Sequence, residues 1–202
     1  MSIKETNQLS SLIVNNAGLS IISRYLPTAK EFIPIPIYLD LIHNDEISFN
    51  AIWNILPNFS SLSGVHVNLN QYQSIISIIN SLEFFNRLFS INSLTLLSLY
   101  GSFCITPLAN ALIHNKTLTT LELWDNNIRG EGTRALAAAL ENNHTLTVFD
   151  VSYNNITDEG IRALAASLKN NHTLTILNAN SNDTGTVEIS HLIQILSLLP
   201  RI

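Results

Sequence analysis

The sequence predicts an α/β solenoid bent into a horseshoe or arc, with a concave parallel β-sheet and convex helices. Three observations predict it. The 28-residue block from Leu118 to Thr145 is written again, with changes, from Leu146 to Thr173. Each block switches its hydrophobic period part-way, from alternation to a helical stripe. The composition, 46% hydrophobic and 12% charged over 202 residues, supplies core material for one short repeat array and argues against a disordered chain.

The elements follow in order within each block. Leu121-Glu122-Leu123 alternates with period two and reads as a short strand. Gly130 and Gly132 then break the chain, and Ala135, Leu136, Ala139 and Leu140 fall on one face of an Ala-rich helix. Asn142 and Asn143 end that helix and lead into the next strand. The second copy keeps these places with Phe149, Val151, Gly160, Leu164 and Leu168. A further copy starts at Leu174, and weaker ones start near 32, 62 and 94, so about six units fill residues 32–202, with the unit from Leu94 only 24 long. Residues 1–31 precede the array and are expected to form a helical cap, with Leu12, Ile13, Leu19, Ile22 and Leu26 covering the first open edge.

The pattern L-x-x-L-x-L-x-x-N-x-I, followed by a Gly-led Ala/Leu helix, resembles the leucine-rich repeat. The 28-residue period and the "LAAAL" helix are similar to its ribonuclease-inhibitor-like subclass, found also in NOD-like receptors and in effectors of intracellular bacteria. The resemblance is strong over residues 118–173 and weaker toward both ends. It implies a leucine-rich-repeat solenoid whose Asn126 and Asn154, with Asp40 and Asn70 upstream, satisfy backbone groups where the chain leaves each strand. Ser102 stands at that place in the shortened unit. The resemblance also implies a non-enzymatic protein-interaction module: a virulence effector in host–pathogen interaction, secreted by a bacterium into the host cytoplasm. The alternative is the sensing or substrate-recognition module of a larger enzyme or receptor.

Stacked units bury the repeated apolar letters and leave the letters between them on the sheet's open face. One such row is Pro36, His66, Ser98, Glu122, Asp150, Asn178. The next is Tyr38, Asn68, Tyr100, Trp124, Ser152, Asn180, and a third is Leu39, Leu69, Gly101, Asp125, Tyr153, Ser181. Aromatic side chains beside carboxylates are what a binding hot spot requires. Tyr100, Glu122, Trp124, Asp125, Asp150 and Tyr153 are therefore the candidate protein-binding residues, with a partner of basic surface.

Other chemistries find less support. Glu122 and Asp150 sit one unit apart, but no nucleophile or phosphate-binding loop accompanies them, so no catalytic residue is assigned. His144 and His172 share a loop position, yet Lys116 interrupts the row, and no metal or cofactor is expected. A net charge of −5 disfavours nucleic acid and anionic membranes. No apolar run is long enough for membrane insertion, and the N-terminus makes a poor secretory signal. The single cysteine, Cys104, falls at an apolar place of its unit and is expected to pack; it suits an intracellular setting. Six Asn-x-Ser/Thr triplets reflect abundant asparagine rather than glycosylation. The apolar "HLIQILSLLPRI" either closes the array, leads into more units, or pairs with another copy.

Overall fold

The computed structural model describes residues 12–14, 37–41, 62–68 and 80–185. Among these, seven parallel strands form one sheet in sequence order: β1 (Leu12–Val14), β2 (Ile37–Leu41), β3 (Leu62–Asn68), β4 (Leu96–Tyr100), β5 (Thr120–Glu122), β6 (Val148–Asp150) and β7 (Ile176–Asn178). Four helices, α1 (Leu82–Phe89), α2 (Ile105–Leu112), α3 (Arg129–Asn142) and α4 (Asp158–Leu168), follow β3 to β6 and pack each against the next. Packed helices need about 9 Å of spacing and strands about 4.8 Å, so the strand side of the array is its inner, concave face.

The core is the one the alternation predicts. Leu118, Leu121, Leu123, Leu136 and Leu140 are fully buried, as are Leu146, Phe149, Val151, Leu164 and Leu168 of the following unit. Ser81 caps α1 by accepting the Phe84 N–H at 3.1 Å. Asp158 and Glu159 occupy the first turn of α4, where the helix dipole favours negative charge. Gly132 and Gly160 let the helices close onto the preceding loop; a Cβ there would lie 2.7 Å from Ile128 Cγ2 and 2.6 Å from Ile156 Cγ2, respectively.

Three polar ladders tie the units together. In the first, Asn154 Oδ1 accepts from the N–H groups of Asn126 (2.8 Å) and Ile128 (3.3 Å), while its Nδ2 donates to the carbonyls of Leu123 (2.6 Å) and Ser152 (2.9 Å). Asn182 repeats this toward Asn154 and Ile156. In the second, Asn143 Oδ1 accepts from Thr145 and Leu146, and its Nδ2 reaches back to the Leu112 and Asn115 carbonyls; Asn171 does the same one unit later. In the third, Thr119, Thr147 and Thr175 each bond the Oγ1 and N–H to the carbonyl of the threonine one unit earlier. Asn115, Asn143 and Asn171, three of the Asn-x-Thr triplets, are thus buried rungs.

The first ladder stops at the short unit. Asn126 Nδ2 still donates to the Leu99 and Trp124 carbonyls, but its buried Oδ1 accepts no hydrogen bond. The donor at the matching place, the Cys104 N–H, bonds Asn80 Oδ1 at 2.6 Å instead. The unit has 24 residues against 28; the strand-to-helix spacing is kept, Leu99 to Ile105 as Leu123 to Arg129, and the shortening falls in the helix, 8 residues in α2 against 14 in α3.

Three expectations are corrected. Leu12–Val14, placed in a helical cap, is a strand pairing in parallel with Ile37–Leu39; its apolar, β-branched letters suit a strand that extends the sheet. The rest of residues 1–31 and the C-terminal apolar segment lie outside the described residues, as does Asn70. Asp40, placed at the ladder position, instead pairs with His66, which sequence spacing had matched to Pro36; an irregularity between Ile37 and Tyr38 accompanies the change of frame. Cys104, expected to pack, is exposed as the N-cap residue of α2, where its N–H bonds Asn80 Oδ1.

Candidate functional site

Outward side chains of β4 to β7 form three rows across the sheet. At the strand starts, Leu96, Thr120, Val148 and Ile176 are in register. The first three are half-buried, and Ile176 is 56% exposed. Sequence reasoning left this row out, although strand alternation placed it outward beside buried Leu97, Leu121 and Phe149. Its letters are apolar apart from Thr120, and in a repeat protein apolar letters read as core.

The middle row is Ser98, Glu122, Asp150, Asn178, with His66 and Asp40 continuing it toward β2. Most of its polar groups bond one another. His66 Nδ1 and Ser98 Oγ are 2.8 Å apart. Asp150 Oδ2 accepts from Asn178 Nδ2 at 2.8 Å, and its Oδ1 accepts from the Ser152 N–H (2.8 Å) and hydroxyl (2.6 Å). Glu122 stands between these two satisfied pairs. Among the described residues its carboxylate has no hydrogen-bond or ion-pair partner. Asp150 therefore organises the row, whereas Glu122 is the free anion.

The third row starts with Tyr100 and Trp124, whose rings stack with centroids 4.3 Å apart and planes at 27°. Trp124 lies just past β5, yet its backbone is held: the Leu123 and Asp125 N–H groups continue the parallel ladder onto the Asp150 and Ser152 carbonyls at 2.8 and 3.1 Å. Next in the row is Ser152, small and buried. Trp124 remains 37% exposed.

Beyond this row the chain turns through left-handed conformations: Gly101, Asp125, Tyr153 and Ser181 share the place and all have positive φ. Asp125 (φ 54°) and Tyr153 (φ 57°) project from this rim. Tyr153 is 59% exposed and makes no ring contact with Tyr100 or Trp124. Of the six candidate residues, the fold thus brings Tyr100, Glu122 and Trp124 into one patch, ties Asp150 into the row beside it, and sets Asp125 and Tyr153 on its rim.

Among the described residues, no three His, Cys, Asp or Glu side chains gather to hold a metal ion, and no helix is long and apolar enough to cross a membrane. His144 and His172 are exposed loop residues.

The repeating strand–helix unit, parallel sheet and asparagine ladder define an α/β repeat solenoid. Residues 114–137 and 142–165 match the family model described as Leucine Rich repeat. The chain is a leucine-rich-repeat protein. No curated protein matches its sequence. Among solved structures, the tropomodulin C-terminal domain of Caenorhabditis elegans is similar over 73% of this chain and 90% of its own, at 13% identity and a TM-score of 0.54. Actin-binding site 2 of leiomodin-1 is similar over 76% of this chain and 73% of its own, at 20% identity and a TM-score of 0.45. An internalin of Listeria monocytogenes is similar over 86% of this chain and 54% of its own, at 15% identity and a TM-score of 0.44. Likeness to the tropomodulin domain at 13% identity defines a shared fold and leaves the partner to the side chains of this chain.

Proposed function

We propose that this chain is a non-enzymatic protein-interaction module that binds a partner protein through the concave sheet. Tyr100, Glu122, Trp124, Asp125, Asp150 and Tyr153 form the contact. The observation that carries the proposal is the Tyr100–Trp124 stack, an aromatic pair that the core does not need, held outward on a hydrogen-bonded backbone. Aromatic anchors pre-positioned in this way lose little entropy on binding, and truncating one often costs about 2 kcal/mol or more. Glu122 and Asp125 give the face a negative character, which favours a basic partner surface and speeds its approach. A bacterial effector acting on a host protein in the host cytoplasm extends this proposal; it draws on the resemblance and on the Asn- and Ile-rich composition.

The test is capture of binding proteins from cell lysate by the wild type and by a Tyr100→Ala/Trp124→Ala/Tyr153→Ala variant. Loss of the specific partners in the variant, with the fold intact by circular dichroism, is the expected result. Recovery of the same partners by both proteins refutes it.

A further inference from the structure

Resting on the concave-face function, the geometry points to an arginine slot: we propose that Glu122, Trp124 and Tyr100 receive one arginine side chain of a partner peptide, whose flanking apolar residue seats on Val148 and Ile176, neighbours in the first row.

The slot has a floor, a wall and a charge. Tyr100 covers one face of the Trp124 indole. On the other side along the row stands Ser152, whose hydroxyl is turned to Asp150 and is too short to cover the indole. A flat group can therefore lie over Ser152 against the open face of the ring. Glu122 ends β5 and precedes Trp124 by two residues along a backbone that continues the ladder, roughly 6.7 Å away along the chain. A guanidinium spans that gap, stacking through its plane and pairing through its N–H fork.

Charge complementarity selects the occupant. The three rows across β4 to β7 carry no Lys or Arg, and the other carboxylate among them, Asp150, already accepts three hydrogen bonds from Asn178 and Ser152. Glu122 accepts none from the described residues, so it alone has its full acceptor capacity for an incoming cation. Arginine suits the slot better than lysine because its planar, weakly hydrated head both stacks on an aromatic face and bonds a carboxylate with two parallel N–H groups.

The apolar row sets the context of that arginine. It runs parallel to the aromatic row with the Glu122 row between them, one two-residue step, roughly 6.7 Å, from each. A partner segment lying across the rows meets apolar, acidic and aromatic surface in turn. It must present an apolar side chain to Val148 and Ile176 and an arginine to Glu122 and Trp124.

The experiment is selection from a displayed random heptapeptide library on three immobilised proteins: wild type, Glu122→Gln, and Tyr100→Ala/Trp124→Ala. Circular dichroism first confirms that each is folded. The expected result is enrichment of peptides with arginine beside an apolar residue on the wild type, loss of the arginine preference on Glu122→Gln, and no enrichment of these peptides on the double variant. A selected peptide remade with citrulline, which keeps the shape and removes the charge, should bind the wild type about tenfold more weakly by fluorescence anisotropy, and should bind Glu122→Gln no worse than the arginine form does. Peptides that need Tyr100 and Trp124 but carry no arginine, or that bind equally well as citrulline forms, overturn the slot and leave the concave-face function standing. Peptides bound equally by wild type and double variant overturn both. A library that yields no enriched peptide also overturns the slot.

Discussion

Replacing Asn154 with alanine removes one rung of the ladder that joins three consecutive units. Three backbone groups lose their partners, the N–H groups of Asn126 and Ile128 and the carbonyl of Leu123, while the Ser152 carbonyl keeps the Asp125 N–H at 3.1 Å. All depend on a side chain with no exposed surface. An orphaned buried polar group costs about 1–3 kcal/mol, so the lower end of that range already places the loss at about 3 kcal/mol. Asn126 is the internal control. It is the same residue type, 1% exposed, at the same place in the preceding unit, but its Oδ1 accepts nothing and only the carbonyls of Leu99 and Trp124 depend on it. Asn126→Ala should therefore cost about 2 kcal/mol. The expected gap of about 1 kcal/mol is measured by urea unfolding, followed by both circular dichroism and tryptophan fluorescence so that a single transition is verified. It corresponds to a midpoint difference of about 2–4 °C in thermal melts of a chain this size. Equal losses for the two variants would refute the account, because they would mean that the acceptor half of the rung contributes nothing.

Three further outcomes follow from the same structure. Gly160→Ala should destabilise by about 1–3 kcal/mol despite the better helix propensity of alanine, because the new Cβ meets Ile156 Cγ2 at 2.6 Å, whereas Gly130→Ala, with its nearest atom at 3.8 Å, should be neutral or slightly stabilising; thermal melts separate the two. Tyr153→Asn relieves a bulky residue of its positive φ and should raise stability by about 1 kcal/mol in urea unfolding, while the same substitution weakens partner capture; a fall in stability would show that the ring is packed. Arg134→Ala breaks an ion pair with Glu159 at 3.0 Å whose side chains are 52% and 70% exposed, and should change stability by less than about 1 kcal/mol.

Much of this architecture was legible in the letters. Leu118, Leu121, Leu123, Leu136 and Leu140 could be placed inward because two periods, one of strand and one of helix, share a chain and repeat together. Trp124 and Tyr100 could be placed outward by the same counting, and their stacking follows from adjacent strands in register. Other features were hidden for identifiable reasons. The frame of β2 was lost because prolines flank its start and the pairing is irregular between Ile37 and Tyr38, so spacing alone chose Pro36 over Asp40. Asn143 and Asn171 read as helix stops, because spacing in the sequence does not show that a side chain reaches back to the carbonyl of the previous unit. The different roles of Glu122 and Asp150 depend on Asn178 and Ser152, and such partnerships are fixed only when side chains take their rotamers.

The rung that Asn126 leaves half-made also divides the molecule. The unit from Leu118 locks onto its follower at an interval of 28 residues through Asn, Asn and Thr in turn, and the unit from Leu146 locks onto its own through Asn and Thr. A duplicated copy of residues 118–145 inserted after Thr145 would find all its partners waiting on both sides, lengthening the sheet by one strand. A copy placed before Leu94 would instead adjoin the 24-residue unit, which has Ser102 at the asparagine place. Growth of this array, by engineering or by duplication, is thus directional, and the 24-residue unit marks where it stops being interchangeable.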